Sequence, residues 1–477
     1  MRIAVVGSGY VGLVAGACFA ELGHQVLLVD NDEHKLAELQ RGECPIHEKF
    51  LPELLERHRG KSLGFTGDLP EAVRRSQLIF IAVGTPPKDD GDADLSYVES
   101  VAQGIACAID GDYKVIVEKS TVPVYTNSWV RKIMLLNGAP AELFDVASNP
   151  EFLREGTAVA DFLYPDRIVV GADSERCAAT VAKAYQPLVD GSYYKKPEAI
   201  PGPVTGEFHA RLIRTSAKSA ELIKHASNAF LAMKISFINA VASVCEAVGA
   251  DVEQVREGIG TDSRIGRRFL SPGVGYGGSC FPKDLLAFRS VARENGCHFG
   301  LLDETVRVNE EQRNRFMRKV RKALWTLKGK KLAVLGLAFK NGTDDLRESP
   351  AVAIIKALLK EGCSVTAYDP AAMARAAEEF GPNSPVKFAS GAYEALEGAD
   401  ACLVLTEWED FAALDLGRVK QLLRYPIVVD GRNLFQPDLM EAAGLNYYSV
   451  GRPDVVGERP VAIKAALKEA ARQNEAA

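Results

Sequence analysis

RIAVVGSGYVGLVAGACFAELGHQVLLVD, residues 2–30, decides the fold of the first part of the chain. Arg2 to Val6 is a short apolar run that reads as a strand, and an alanine-rich stretch reaching Leu22 reads as a helix closed by Gly23. Gln25 to Val29 reads as a second strand ending on Asp30. Between the first strand and the helix stands Gly7-Ser8-Gly9-Tyr10-Val11-Gly12, the βαβ dinucleotide fingerprint in its required context. Gly7 allows the tight turn, Gly9 lets a pyrophosphate approach the backbone, and Gly12 lets the helix pack closely, while the helix N-terminus supplies positive dipole. Asp30 follows 18 residues after Gly12, where a carboxylate holds the adenosine ribose. A carboxylate there repels a 2′-phosphate, so the expected cofactor is NAD rather than NADP. Lys35 is a further candidate for the ribose or adenine.

The same design continues outward. Leu78 to Val83 is a strand-like run closed by Gly84-Thr85-Pro86-Pro87, and Lys114 to Val117 is another, closed by Glu118-Lys119-Ser120-Thr121-Val122-Pro123. Phe144 to Ala147 runs into Ser148-Asn149-Pro150-Glu151-Phe152-Leu153-Arg154-Glu155-Gly156. Buried parallel strands read as continuous apolar runs, and ligands collect outside their carboxyl ends. Thr85 and Thr121 therefore stand where a cofactor would lie. Glu151 and Glu155 are candidates for a general base and a ligand contact.

Residues 190–214, with Pro197, Pro201, Gly202, Pro203 and Gly206, break the pattern and read as an irregular excursion. From Ser216 to Val248 a helical pattern runs without proline or glycine, long enough to join two domains or to dimerise. Lys224 and Asn228 lie four apart on it, hence on one face. A second α/β unit starts at Lys331, with strand-like runs at Leu332–Leu335, Ser364–Tyr368, Cys402–Leu405 and Ile427–Val429. Gly362 and Asp369 answer Gly23 and Asp30, but Gly336-Leu337-Ala338-Phe339-Lys340 replaces the glycine fingerprint. This unit is not expected to hold a second dinucleotide in the same way. Lys340, Arg347 and Arg432 give it cationic strand-end loops suited to a phosphorylated ligand.

The fold class that results is α/β, with two Rossmann-like doubly wound domains joined by a long central helix. Residues 1–190 form the NAD-binding domain, 191–215 the excursion, 216–325 a central helical domain, and 326–477 the C-terminal domain. At 477 residues such a division is expected. Lys and Arg number 57 against 63 Asp and Glu, a formal net charge of −6, which argues against nucleic acid. The nine cysteines are scattered and lack CxxC or Cys/His spacing, so the expectation is thiols in a reducing compartment and no metal. The glycines at fixed offsets and Asp30 argue against reading the N-terminus as a signal peptide. No apolar run approaches the length of about 20 residues that a membrane helix needs. A cytoplasmic protein without membrane contact is expected.

One cysteine stands apart. FLSPGVGYGGSCFPKD, residues 269–284, puts Gly273, Gly275, Gly277 and Gly278 before Cys280, with Lys283 and Asp284 just after it. A cation beside a thiol raises its thiolate fraction, so Cys280 is a candidate nucleophile, whereas Cys18, Cys107, Cys245 and Cys402 lie in apolar patterns that suit packing.

Seven ordered motifs, GSGYVG, VGTPP, EKSTVP, SNPEFLREGTA, SAELIKHASNAFLA, FLSPGVGYGGSCFPKD and GLAFKNGTDDLRESP, make nearly the whole chain resemble the nucleotide-sugar 6-dehydrogenases. The resemblance implies oxidation of a sugar C6 alcohol to a carboxylate with two NAD and one water. UDP-glucose is favoured over GDP-mannose and UDP-N-acetylmannosamine by the FLSPGVGYGGSC run. By the same resemblance, Cys280 traps the aldehyde as a thiohemiacetal that is oxidised to a thioester. Lys224 stabilises oxyanion charge, Asn228 and Asp284 position water or relay protons, Glu151 is the base for hydrolysis, and Thr121 holds water and touches the cofactor. NAD would contact Gly7, Gly9, Tyr10, Val11, Gly12, Asp30, Lys35, Thr85 and Thr121, with Glu155, Lys283 and Arg347 adding to it or to closure. The UDP-sugar would meet Glu151, Phe152, Leu153, Arg154, Glu155, Lys224 and Asn228. It would also meet Phe269, Leu270, Ser271, Pro272, Gly273, Gly277, Lys340 and Arg432. Arg264 would reach the substrate of a neighbouring subunit, implying a homodimer or larger assembly. The stretch 192–214 is longer and less regular than the family pattern.

Overall fold

The computed structural model describes residues 1–86, 88, 93–202 and 207–456. Pro87, Pro203 and Gly206 lie outside the described residues. The chain divides into two compact units, Met1–Ala229 with Lys283–Phe299, and Phe230–Pro282 with Gly300–Ala477.

The first unit is built on an eight-stranded sheet. Its strands are β1 (Arg2–Val6), β2 (Gln25–Val29), β3 (Leu63–Thr66), β4 (Leu78–Ile81), β5 (Lys114–Glu118), β6 (Phe144–Ser148), β7 (Ile168–Ala172) and β8 (Leu212–Thr215). The order is β3-β2-β1-β4-β5-β6-β7-β8, so the winding reverses between β1 and β4. That reversal opens the crevice where doubly wound sheets bind ligands. Strands β4 and β5 are buried at every residue, including the charged Lys114 and Glu118 that flank the apolar centre of β5. Alternate residues of β1 feed two apolar layers: Ile3 and Val5 join Phe19, Leu54 and Phe162, while Ala4 and Val6 join Ile105, Val130 and Met134.

The sheet extends past the sequence expectation. β7 pairs antiparallel with β6, and β8 pairs parallel with β7. β8 lies inside what the sequence presents as an irregular excursion. Its four residues are half-buried or exposed, which an edge strand tolerates and which leaves no apolar run to read. The excursion is also anchored upstream, where Tyr193 and Ile200 are buried and the Tyr194 ring packs against Tyr164 and Phe208.

The helix Ala217–Val248 spans 32 residues, and the division between the units falls within it, after Ala229. By length and composition it is apolar enough to cross a membrane, with an 18-residue window of mean hydropathy 1.5 and a third of that window buried. The core helix of a globular protein passes the same test, and Lys224, His225, Asn228 and Lys234 break the apolar run. Polar residues interrupt the apolar run here without lowering its average far.

The second unit carries a six-stranded, wholly parallel sheet of β9 (Lys331–Leu335), β10 (Ser364–Tyr368), β11 (Val386–Phe388), β12 (Ala401–Val404), β13 (Ile427–Asp430) and β14 (Asn446–Ser449). The order β11-β10-β9-β12-β13-β14 repeats the reversal, here between β9 and β12. Helices of the unit include Val252–Gly260, Gly300–Leu324 and Pro350–Lys360. Asp369, the counterpart of Asp30, is fully buried and spends one oxygen on the amides of Leu337 and Ala338 and the Trp408 indole N–H. Its other oxygen accepts from the amides of Ala371 and Ala372, so both are engaged within this chain.

Candidate active site

The turn after β1 shows what each fingerprint glycine does. Gly7 has φ +102°, and a Cβ there would lie 2.7 Å from the carbonyl oxygen of Ala82. A Cβ on Gly12 would lie 1.8 Å from the carbonyl oxygen of Gly7, so this glycine lets the helix start against its own turn. Nothing lies within 4 Å of the Cβ position of Gly9, and no side chain caps the helix Tyr10–Glu21. Open space above uncommitted helix amides fits a pyrophosphate. Asp30 accepts from the Ser8 amide at 2.7 Å, the Ser8 hydroxyl at 2.5 Å and the Asp32 amide at 3.0 Å, with Lys35 3.9 Å away. Burial opposes its charge, but the Ser8 bonds outweigh it and hold the carboxyl below its ordinary range. A carboxylate with about four acceptor sites keeps room for ribose hydroxyls. The residues present therefore fit NAD. The Tyr10 phenol turns elsewhere, donating to Glu48, and both its oxygen and Glu48 accept from the Gly156 amide at 2.8 Å.

The carboxyl ends of β4, β5 and β6 are tied together nearby. The Thr85 hydroxyl donates to the Thr121 carbonyl at 2.9 Å, and Lys283 donates to the Thr85 hydroxyl at 3.0 Å. Lys224 Nζ and Glu151 Oε1 form a buried ion pair at 2.7 Å, and the other Glu151 oxygen accepts from the Leu153 amide. Burial alone would raise the Glu151 carboxyl; Lys224 overrides it and lowers it instead. One helical turn on, Asn228 donates to Asp284 at 2.5 Å, and the second Asp284 oxygen lies 3.6 Å from Lys283. Phe152 is covered by the guanidinium of Arg167, 3.6 Å from its ring centre. The exposed Arg154 binds Asp161 through its amide and guanidinium.

The central helix brings more to this site than Lys224 and Asn228. Glu221 accepts from the Tyr125 and Asn127 amides at 2.9 and 2.8 Å, and His225 Nε2 donates to the Val122 carbonyl at 2.8 Å. Residues 221, 224, 225 and 228 thus form one buried polar stripe, of which Glu221 and His225 grip the loop carrying Thr121. The sequence holds a signal for Glu221 and His225, since they complete the three-and-four spacing already set by Lys224 and Asn228.

In the second unit, the run from Phe269 is pinned by its backbone. Gly273 N–H donates to Asn239, Val274 N–H to the Gly431 carbonyl, and Gly278 N–H to the Arg347 carbonyl. Asn309 bonds both polar groups of the Tyr276 backbone. A Cβ on Gly277 would lie 2.3 Å from the Glu348 carbonyl. Leu270 is buried. Arg432 donates to the carbonyls of Leu405 and Phe339, both at 2.9 Å, and lies 3.1 Å from Glu407. Arg347 makes a two-pronged pair with Asp345, and the ammonium of Lys340 sits 5.6 Å from the Phe339 ring centre. The exposed Arg264 pairs with Asp262. Cys280 opens the helix Cys280–Glu294, with its sulfur 3.7 Å from the Ser279 hydroxyl and Asp284 four residues further along the same helix.

A dinucleotide turn on the first sheet and a buried lysine–carboxylate pair beside the carboxyl ends of its strands define the class of an NAD-dependent dehydrogenase. Residues 1–189 match the NAD binding domain of the UDP-glucose/GDP-mannose dehydrogenase family, 218–311 its central domain and 333–437 its UDP binding domain. The chain belongs to this family, and it is an NAD-dependent oxidoreductase of nucleotide sugars. It is 46% identical to a UDP-glucose 6-dehydrogenase of Bacillus subtilis over 96% of this chain and 95% of that one. It is 45% identical to a UDP-glucose 6-dehydrogenase of Rhizobium meliloti, over 95% of this chain and all of that one. Among solved structures, a UDP-glucose dehydrogenase of Pyrobaculum islandicum superposes with TM-score 0.84 at 36% identity, covering 94% of this chain and 98% of that one.

Proposed function

We propose that the protein is a UDP-glucose 6-dehydrogenase, oxidising UDP-glucose to UDP-glucuronate through a cysteine-bound thiohemiacetal and thioester. The observation that carries the reading is the buried Lys224–Glu151 pair one helical turn from Asn228–Asp284. NAD held by the Gly7–Gly12 turn and Asp30 would supply the hydride acceptor for each oxidation. The C6 alcohol loses a hydride and a proton to give the aldehyde. A carbon at that level needs an added nucleophile before a second hydride can leave, and the Cys280 thiolate supplies it by forming a C–S bond. The Lys224 ammonium stabilises the oxyanion that develops, in a site poor in water. Loss of the second hydride gives the thioester. Water, oriented by Asn228, Asp284 and Thr121 and deprotonated by Glu151, then adds to it, and the C–S bond breaks to release acid and thiol. The UDP-sugar is assigned to the Phe269–Gly277 run, Lys340 and Arg432, with the Glu151–Glu155 loop. NAD is assigned to the first turn, Asp30, Lys35, Thr85 and Thr121, and Glu155, Lys283 and Arg347 to the cofactor or to closure.

Relatives at 40–46% identity support glucose as the sugar, whereas a UDP-N-acetylmannosamine dehydrogenase of Pyrococcus horikoshii shares 27%. The chain works as a homodimer or larger assembly in the cytoplasm, where a reduced thiol persists. The test is the NADH formed per UDP-glucose consumed, for the intact protein and for Cys280→Ala. Two per sugar, with Cys280→Ala unable to make the acid, is expected. One per sugar, full acid yield without the thiol, or preferential oxidation of GDP-mannose would overturn the assignment.

A further inference from the structure

The end of β5 holds an ammonium group that the reaction just described does not use. Lys119, the residue after β5, is buried, and its Nζ donates to Asn149 Oδ1 at 2.9 Å and to the Tyr185 hydroxyl at 3.2 Å. Both partners are neutral. Tyr185 in turn donates to the same Asn149 oxygen at 2.6 Å, and the Asn149 amide donates to the Val169 carbonyl at 2.7 Å, which fixes the orientation of the asparagine. The rings of Phe162 and Tyr185 lie 5.7 Å from Nζ and complete its surroundings. A buried ammonium without a hydrogen-bonded carboxylate is costly to fold around. An apolar chain of the same length would pack there more cheaply, so the charge itself needs a reason.

The charged and titratable groups that face it give one. Glu151 on the strand-end loop attracts the ammonium, Lys224 on the central helix repels it, and Cys18 on the first helix is held as a neutral thiol by burial. Asn149, which Lys119 grips, stands two residues before Glu151 in the same loop. We propose that Lys119 is a positioning residue for the oxidation: through Asn149 it fixes the strand end that carries Glu151, and through its charge it keeps Glu151 a carboxylate. Glu151 then feels the attraction of two ammonium groups, Lys224 more strongly than Lys119, and the three together carry a net positive charge. Burial and Lys224 bring Lys119 down to about 8, so the arrangement operates below that pH.

This inference rests on Glu151 being the base of the proposed reaction, and two measurements separate the claims. In ligand-free protein, the Glu151 carboxyl is titrated by 13C NMR, assigned by its disappearance in Glu151→Gln. Lys119→Met is expected to move its midpoint up, as loss of an attracting charge does, and Lys119→Arg to leave it low. With UDP-glucose and NAD, the acid limb of the kcat profile is expected to move the same way in Lys119→Met and to return in Lys119→Arg. A Glu151 midpoint that stays put in folded Lys119→Met, whatever the activity, overturns the proposal. A midpoint that moves while the acid limb of a fully active variant does not would uphold the link to Lys119 and remove Glu151 as the base.

Discussion

At the scale of single residues, the fingerprint glycines separate stability from binding. The Cβ of an alanine at position 12 would overlap the Gly7 carbonyl at 1.8 Å, and neither backbone can yield without moving the helix. The same methyl at position 9 meets nothing within 4 Å. Gly12→Ala is therefore expected to lower the melting temperature and weaken NAD binding together, by tenfold or more. Gly9→Ala is expected to leave the melt within about 0.5–1 kcal/mol of the parent, near the intrinsic backbone effect, and still weaken NAD, because it fills the space assigned to the pyrophosphate. Thermal melts and calorimetric NAD titration of both variants check this. Equal affinity of Gly9→Ala and the parent would place the pyrophosphate elsewhere.

At the scale of elements, the end of β5 and the central helix bury two acids away from water. Glu118 closes β5 with neither carboxyl oxygen hydrogen-bonded, and burial, then Glu221, pushes it up to about 8. Burial likewise raises Glu221 to about 7, although two backbone amides favour its charge. Both values stand above those of an unfolded glutamate, so the folded chain binds the extra protons. The stability these neutral forms contribute is complete below the unfolded value, near 4.3, and is lost as pH rises through 7 and 8. Melting temperature is expected to fall from pH 5.5 to pH 8.5, and Glu118→Gln, neutral throughout, to flatten the fall. An unchanged slope in that variant would exclude Glu118 as a source. These two acids also mark what the sequence leaves hidden. The glycine turn was legible because its steric reasons lie within a few residues, and Lys224 with Asn228 because one helical turn relates them. Glu221 meets partners 94 and 96 residues away, and a polar residue on a helix reads as solvated until tertiary packing buries it. β8 is hidden for the converse reason, since an edge strand needs no apolar run.

At the scale of the whole molecule, the central helix leaves part of its apolar surface unused. Phe230, Phe237 and Val244 are 57%, 55% and 60% exposed, and they recur every seven residues, which places them along one face. Val248 continues the row at 71%. Large apolar side chains repeated along one helix form a seam of the kind helices pair through, and a single chain spends nothing to keep them wet except solubility. A second copy of the same helix is the occupant that the proposed homo-oligomer supplies. Phe237→Glu puts charge in the middle of the row, where burial between two copies would be costly and exposure in one copy is not. The variant is expected to sediment as a smaller species than the parent while its melt by local probes stays close, because more than half of the side chain is already in water in the single chain. If Arg264 serves the substrate of a neighbouring subunit, the dissociated variant should also lose activity in proportion to dissociation, and regain it as protein concentration is raised. A parent that sediments as one chain, or a Phe237→Glu variant that keeps the parent's size, would assign the row to another partner.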